Sequence, residues 1–381
     1  MNFDWTAEQE ELYQRVLGFA RAELNHEVRE REREHRFGAA EWRRCGAFGL
    51  LGLSAPERHR GLGLGALTTA RAIEALGAGC EDMGLVFSIS AHLFACVMPI
   101  AQYGGEALRE RVLARLCSGE WIGANAITEP EAGSDVYALR ATAVRDGDTY
   151  VLDGTKTYVT NGPVADCIVV YASTQPAHGY LGVSAFVVEQ GTPGLSLGQP
   201  FVKMGLTTSP TSSLYLQGCR VPASHRLGQE GQGAAVFTAS MRWERSCLFA
   251  GYLGAMERQL ERVIAFARER RQFRKTLGQH QAIAHRIADM KLRLESARLL
   301  LYRACWLIDR NDEAALEVSL AKLAVSEAAI RSGLDAIQIH GGLGYIADSG
   351  VEQMLRDAIP ATIFSGTSEI QRDIIARRLG L

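Results

Sequence analysis

The chain has 381 residues, of which 47% are hydrophobic and 22% charged, the ordinary composition of a globular protein with two or three domains. Its formal net charge of −2 excludes an electrostatic footprint for nucleic acid or for an anionic membrane. The eight cysteines are scattered, without C-x-x-C or metal-ligand spacing, which predicts buried, reduced thiols, no metal site and a cytoplasmic location.

The first segment predicts an amphipathic helix rather than a targeting sequence. Thr6 and Gln9 have the spacing of a capping box, and the residues around them are acidic, unlike a signal or transit peptide. Residues 84–101 contain no Asp, Glu, Lys or Arg and are long enough to cross a membrane. Because hydroxyls, His92 and a proline interrupt them, we expect a buried core helix instead, with His92 as a hydrogen-bonded core side chain.

The predicted secondary structure changes twice along the chain. Helical patterns extend to about residue 117, short β-rich runs separated by turn residues follow, and helical patterns return after a glycine-rich turn. This order predicts an α+β fold with three domains. They are an N-terminal helical domain (1–118), a middle antiparallel β domain (119–228) and a C-terminal helical bundle (229–381).

The stretch 241–281 predicts one long helix with chemistry at both ends. Apolar residues recur at helical spacing between Glu244 and a basic-aromatic cluster that starts at Arg268. If the helix is unbroken from Glu244 to Arg270, its rise separates those side chains by roughly 39 Å. We therefore expect the two ends to serve different binding sites, which suggests an oligomer with shared sites.

Glu244 has no cation among its helical neighbours, which are Ser240, Met241, Cys247 and Leu248. Small residues follow on the same side of the helix and permit close approach by another element or a ligand. Two interpretations are open at this point. Glu244 is either a buried carboxylate paired with a basic residue from elsewhere in the fold, or a general base whose pKa is raised by desolvation.

Three further motifs carry polar or aromatic groups that could meet a ligand. AITEPEAGSD (126–135) offers hydroxyls and backbone N–H groups, although such a turn can be only a loop. In GTKTYVTNG, Tyr158 and Thr160 are two residues apart and so share one face of a strand. They could form a platform for a flat cofactor ring or a cross-strand packing pair. The glycine-rich turn in QIHGGLGY (338–345) is weak by itself.

These motifs occur together and in a fixed order. AITEPEAGSD, GTKTYVTNG, ERRQF with GQHQAIAHRIADM, QIHGGLGY with RDA, and FSGTSEIQ resemble the acyl-CoA dehydrogenase superfamily over essentially the whole chain. The resemblance implies FAD as the cofactor, a helical, β and helical domain order, and a homotetramer built from dimers.

The resemblance also implies a role for each matching residue. Residues expected to line the flavin are Ile127, Thr128, Gly133 and Ser134 on one face, with Tyr158 and Thr160 on the other and Thr160 near the reactive N5. Residues expected to contact the dinucleotide of the neighbouring subunit are Arg270, Phe273, Gln281, Gln338, Gly341 and Gly342. Residues expected near the adenosine are Thr367 and Glu369.

The tail of the chain departs from the commonest family pattern. Many members carry the catalytic Glu immediately before the GT of the tail motif, where this chain has Ser365. In the isovaleryl-CoA type the base lies on the long helix in an E-R-x-x-x-x-A-G context, which WERSCLFAG matches at Glu244. The resemblance thus favours Glu244 as the base, with the Ser365 N–H as a donor to the enolate oxygen. Arg245 is expected to be structural or to line the substrate.

Several stretches point to one branch of the family. FSGTSEIQRDIIARRLGL, KLRLESARLLLYRACW and DMGLVFSISAHLFAC are similar to the branch that oxidises acyl groups on carrier proteins, and especially to prolyl-carrier-protein dehydrogenases of secondary metabolism. The runner-up is a dehydrogenase of a short or branched-chain acyl-CoA. Other flavin chemistry, such as nitroalkane oxidation, is disfavoured because that type resembles a sequence with Asp as base, and a non-catalytic scaffold predicts no activity.

The expected partners follow from this branch. They are a thioester on a carrier protein or on CoA, and an electron acceptor that is either an electron-transfer flavoprotein or oxygen. Basic side chains could face an acidic carrier protein, or they could form a solvated helix face; they are Arg29, Arg31, Arg33, Arg58 and Arg60.

Overall fold

The computed structural model describes residues 4–381, and its N-terminal part is helical. Its helices are α1 (Ala7–Glu23), α2 (Val28–Arg33), α3 (Ala39–Phe48), α4 (Ala66–Gly79), α5 (Met83–His92), α6 (Met98–Tyr103) and α7 (Glu106–Ser118). Helix α1 begins with the predicted capping box, in which the Thr6 and Gln9 side chains each bond the other residue's backbone N–H.

The apolar segment of the sequence is a core helix, as predicted. Helices α5 and α6 are joined by a π-helical turn (Leu93–Val97), and 94% of the most apolar window of Met83–Tyr103 is buried inside the fold. His92 is fully buried, and its Nδ1 accepts a hydrogen bond of 2.8 Å from the Gly123 N–H. Burial lowers the pKa of His92 to about 4, so this histidine is a neutral core residue.

The middle part is one sheet of eight strands. They are β1 (Gly123–Ala126), β2 (Thr142–Asp146), β3 (Thr149–Thr160), β4 (Cys167–Ser173), β5 (Val183–Glu189), β6 (Leu195–Leu197), β7 (Thr211–Pro222) and β8 (Arg226–Leu227). Their order is β6-β7-β3-β2-β4-β5-β8, with β1 beside β4. The sheet is mixed rather than wholly antiparallel, because both β1 and β2 pair with β4 in parallel.

The C-terminal part is again helical. Its helices are α8 (Gly233–Trp243), α9 (Ala250–Glu269), α10 (Gln281–Asp309), α11 (Ala315–His340), α12 (Gly342–Tyr345), α13 (Gln353–Ala358) and α14 (Ser368–Arg378). A short hairpin of β9 (Arg271–Gln272) and β10 (Lys275–Thr276) joins α9 to α10. The predicted domain boundaries at residues 118/119 and 228/229 lie in the connections between these three groups of elements and stay predictions.

One hydrophobic core joins the first and last groups of helices. Residues of α1, α4 and α5 pack with residues of α9, α10 and α11 in a single buried cluster, while two further clusters cover the faces of the sheet. Helices α4 and α9 approach most closely where Gly77 meets the backbone of Gly251 and Gly254 meets the backbone of α4. The small residues after Glu244 therefore accept another helix, one of the two uses that their size allowed.

The structure confirms the predicted burial of the cysteines, but it does not place Arg31 on the surface. All eight cysteines are free and buried, as their scattered spacing predicted. Arg31, by contrast, is not a surface residue. It is 2% exposed and forms ion pairs with Glu41 (3.4 Å) and Asp82 (3.0 Å), because the short helix α2 turns this side chain toward the core. Arg31 therefore cannot contribute to a docking surface.

Candidate active site

Glu244 is the first residue of a π-helical turn, Glu244–Leu248, between α8 and α9. The prediction of one regular helix is therefore wrong at this point, and the helix also ends at Glu269, one residue before Arg270. A π turn holds an extra residue, which changes the direction of the side chains that follow, and such turns are frequent at functional sites. The spacing of a regular helix consequently does not apply across Glu244–Leu248.

The hydrogen-bond partner of Glu244 is the hydroxyl of Ser365, which donates to Glu244 Oε1. Within residues 4–381 the structure gives Glu244 no ion pair, so the interpretation as half of a salt bridge lacks its cation. Burial raises the pKa of Glu244, and the Ser365 hydrogen bond and the nearby charge of Arg245 oppose that rise. A half-buried carboxylate with a raised pKa is suited to accept a proton.

Ser365 lies in a tight turn between α13 and α14 that other side chains hold in place. Its φ of 57° is in the left-handed region, and its carbonyl oxygen accepts a hydrogen bond of 2.7 Å from Arg245 Nε. Gln371 Nε2 donates to the carbonyls of Ser365 (3.4 Å) and Gly366 (3.1 Å). The Ser365 N–H has no acceptor among the described residues, so it is free to donate to a ligand.

Two residues of this neighbourhood were missed by the sequence reasoning. Gln371 lies within the FSGTSEIQ motif and could have been found there. Lys322 of α11 is fully buried, its Nζ has no hydrogen-bond partner in the described chain, and it lies 5.5 Å from the centre of the Phe249 ring. Burial and the positive charge of Arg245 lower the pKa of Lys322 to about 8. A lone lysine in the apolar run SLAKLAV was its only sequence signal.

The AITEPEAGSD loop is fixed to the sheet by a buried ion pair. Glu129 Oε1 lies 2.7 Å from Lys156 Nζ, and the Glu129 carboxylate accepts the backbone N–H groups of Arg140 (2.6 Å) and Ala141 (2.9 Å). Lys156 also donates to the carbonyl of Ile127 (3.2 Å). The sequence reasoning missed this pair, although a Lys in a buried strand and a Glu in the loop were both visible in the motifs.

The predicted flavin-lining residues of that loop differ in exposure. Ile127 is buried and Thr128 half-buried, whereas Gly133 and Ser134 are exposed. A Cβ at Gly133 would meet no atom within 4 Å. The loop thus presents backbone N–H groups and hydroxyls on an open side while its other side is held by Glu129.

The predicted strand is present at Tyr158 and Thr160, but it is not regular there, because β3 has a bulge between Lys156 and Val159. Tyr158 has a φ of 57° and is 68% exposed, with its ring 5.6 Å from that of Phe201. Val159 is buried, while Thr160 is half-buried. Both candidate residues therefore lie on the open side of the strand, where an aromatic face without a covering element suits a flat ring.

The second group of candidate residues is not part of the Glu244 cluster. Phe273 is 89% exposed at the tip of the β9–β10 hairpin, where both Phe273 and Arg274 have positive φ. Arg270, Gln281, Gln338, Gly341 and Gly342 are exposed as well. The Phe273 ring contacts only His280 among the described rings, at 6.3 Å, and its exposure leaves it accessible to a ligand or a second subunit.

Thr367 and Glu369 mark the start of α14. The Thr367 side chain caps the helix by accepting the Ile370 N–H (3.3 Å), and Glu369 is exposed in the first turn. A helix N-terminus with free N–H groups suits a phosphate or ribose edge, but Thr367 Oγ1 already has this helical partner.

Models of one family match almost all of the chain. They are the acyl-CoA dehydrogenase N-terminal domain over residues 6–120, its middle domain over 124–219 and its C-terminal domain over 231–380.

The relatives found agree with these domains. An L-prolyl-[peptidyl-carrier protein] dehydrogenase of Pseudomonas fluorescens is 54% identical over 351 residues, 92% of each chain. The solved structure of PigA with FAD and proline has a TM-score of 0.98 and 44% identity over all of both chains. The crystal structure of the prolyl acyl carrier protein oxidase AnaB has a TM-score of 0.97 and 44% identity, covering 99% of this chain and 100% of AnaB.

Proposed function

We propose that this chain, which belongs to the acyl-CoA dehydrogenase family and is an FAD-dependent dehydrogenase of acyl thioesters, oxidises a prolyl group on a peptidyl carrier protein. The observation that carries the proposal for the site is the half-buried carboxylate of Glu244, hydrogen-bonded to the serine at the tail position that the family resemblance associates with a base. The names of the relatives above support the prolyl group and the carrier protein, which would make the chain an enzyme of secondary metabolism.

The chain's own residues would divide the chemistry as follows. Glu244 removes the α proton of the thioester, since its raised pKa makes it a stronger base than an exposed carboxylate. The free N–H of Ser365 donates to the thioester oxygen as negative charge develops there. Arg245 and Gln371 hold the Ser365 carbonyl and so restrain the turn that carries this N–H. FAD supplies the acceptor for the hydride that leaves the β carbon.

The residues that would hold FAD form two groups. The wall for the flavin ring would be Ile127, Thr128, Gly133, Ser134, Tyr158 and Thr160, on the open side of the loop and of strand β3. The dinucleotide of a neighbouring subunit would meet Arg270, Phe273, Gln281, Gln338, Gly341 and Gly342, with Thr367 and Glu369 near the adenosine. The exposure of Arg270, Phe273, Gln281, Gln338, Gly341 and Gly342 supports this proposal, because it leaves them accessible to a neighbouring subunit's ligand.

The same exposure supports a homotetramer built from dimers, in which each flavin site is completed by two chains. The reduced flavin would pass its electrons to an electron-transfer flavoprotein or to oxygen. We place the enzyme in the cytoplasm, in keeping with its free, buried thiols.

The test is anaerobic bleaching of the flavin by substrates that separate the acyl group from its carrier. The protein is mixed with prolyl-loaded carrier protein, with prolyl-CoA, and with butyryl-CoA and isovaleryl-CoA. We expect fast bleaching by the prolyl carrier protein, slower bleaching by prolyl-CoA and almost none by the other two. Fast bleaching by only butyryl-CoA or isovaleryl-CoA would instead make the chain a short or branched-chain acyl-CoA dehydrogenase.

A further inference from the structure

The contact between Ser365 and Glu244 joins the tail position and the long-helix position, the two at which the family resemblance places a catalytic base. The hydroxyl of Ser365 donates to Glu244 Oε1 across 121 residues of chain. Both side chains are half-buried, so water has only partial access to the carboxylate and Ser365 is its one hydrogen-bond donor among the described residues. A hydrogen bond to a buried charged group is stronger than one in water and favours the charged form of that group.

We infer that the Ser365 hydroxyl is a positioning residue for the base, which keeps Glu244 deprotonated and points its carboxylate at the substrate. The inference rests on the proposed role of Glu244 as base. It gives the Ser365 hydroxyl a role separate from that of the Ser365 N–H. Neither a carboxylate nor a glycine at this position has a hydroxyl that could donate to Glu244.

The backbone around Ser365 makes this task possible. Arg245 Nε and Gln371 Nε2 both donate to the Ser365 carbonyl oxygen, so the turn is anchored independently of the hydroxyl. The left-handed φ of 57° at Ser365 is unusual for a residue with a side chain, and glycine would adopt it more easily.

The other titratable groups near Glu244 act either on its own pKa or on that of Arg245. On the π turn, the positive charge of Arg245 lowers the pKa of Glu244, and the described structure places the phenol of Tyr171 on β4 within electrostatic range. Lys322 of α11 and Tyr137 act on Arg245 rather than directly on the base. Because Ser365 is the only group that donates a hydrogen bond to Glu244 in the described chain, its removal should raise the pKa of the base.

The test compares two substitutions that both remove the hydroxyl but differ in how easily they adopt the left-handed backbone conformation. Ser365→Gly relieves the left-handed conformation, whereas Ser365→Ala keeps a Cβ in it. The rate of anaerobic flavin reduction by prolyl-loaded carrier protein is measured from pH 5 to pH 9 for both variants, for wild type and for Glu244→Gln. Ser368→Ala is the control, since it deletes a buried hydroxyl without a partner in the same tail segment.

We expect the pH profiles of Ser365→Gly and Ser365→Ala to shift equally to higher pH, with about a tenfold loss of rate at neutral pH that is regained in part at high pH. Ser368→Ala should keep the wild-type profile. An unshifted profile in Ser365→Gly, or a loss confined to Ser365→Ala, would overturn the inference and assign the effect to the backbone. If Glu244→Gln retains the wild-type rate, the proposed base itself fails, which is a separate outcome.

Discussion

The two ends of the long α8–α9 segment differ in burial and in their contacts with the rest of the chain. At the Glu244 end the carboxylate is half-buried in a π turn and bonded to Ser365, whose carbonyl in turn accepts from Arg245 and Gln371 of the same chain. At the other end Phe273 stands 89% exposed on a tight hairpin and meets no core residue. The proposed catalytic group is thus held by contacts within one chain, whereas the hairpin end, proposed to meet the dinucleotide of a neighbouring subunit, is exposed.

This difference implies that changes at the two ends should separate in experiment. A change at Glu244 should alter the rate of flavin reduction without altering the amount of flavin bound. A change at Phe273 should do the reverse. Substitutions at Glu244 and Phe273 test that separation, whereas substitutions at Lys156 and Gly254 test the contacts that hold the AITEPEAGSD loop and helix α9.

Replacing Glu244 by Gln should lower the rate of anaerobic flavin reduction about 10³-fold, because a general base typically contributes between 10² and 10⁴. The FAD content of the purified protein should stay at the wild-type value. Glu261→Gln, an exposed carboxylate on the same helix, is the matched control and should retain full rate. Loss of FAD from Glu244→Gln would show that the two ends are not separable.

Replacing Lys156 by Met should destabilise the protein by about 3–5 kcal/mol, because it leaves the Glu129 carboxylate buried without its cation. The AITEPEAGSD loop should lose its anchor, so we expect weaker FAD binding together with a lower Tm. The double variant Glu129→Gln with Lys156→Met should recover part of the stability. Equal Tm values for wild type and Lys156→Met would show that the pair does not hold the loop.

Replacing Phe273 by Ala should weaken FAD retention by about 2 kcal/mol, the usual cost of deleting an aromatic anchor at an interface. The rate of reduction per bound flavin should be unchanged, and so should the Tm of the FAD-free chain, because the ring packs on nothing in its own core. Val144→Ala, an exposed apolar residue on β2, is the control for loss of exposed surface. A lower apo Tm would place Phe273 inside the fold.

Replacing Gly254 by Ala should cost about 1–3 kcal/mol of stability, since its Cβ would press on the backbone of Glu74 and Ala78 in α4. Gly251→Ala should cost less, because its Cβ would meet the side chains of Val86 (2.9 Å) and Ile73 (3.7 Å), which can move. Urea unfolding of the two variants measures the difference. Equal losses would contradict the close packing of α9 on α4 between the two ends.

The sequence predicted the features that local pattern decides. The capping box at Thr6, the core helix at residues 84–101, the buried thiols and the order of helical and β-rich parts all follow from side-chain types within a few residues of each other. The π turn at Glu244 was not predictable in this way, because one extra residue in a helix leaves the apolar pattern almost unchanged.

Contacts between distant segments were also beyond the sequence. The hydrogen bond from Ser365 to Glu244, the pair Lys156–Glu129 and the parallel pairing of β1 with β4 each depend on how remote segments are brought together. Arg31 shows the same limit, since a charged helix that looks solvated turns one arginine inward to Asp82. The charges in a short helix do not show which of its side chains the rest of the fold will bury.

The most direct test of the central claim is exchange of the substrate's α hydrogen with solvent. Holoenzyme with its flavin held reduced, so that oxidation cannot follow, is incubated with prolyl-loaded carrier protein in D₂O, and mass spectrometry follows deuterium at the α carbon. Wild type and Glu261→Gln should exchange this hydrogen, and Glu244→Gln should not. Exchange by Glu244→Gln at the wild-type rate would show that another group removes the proton and would contradict the account.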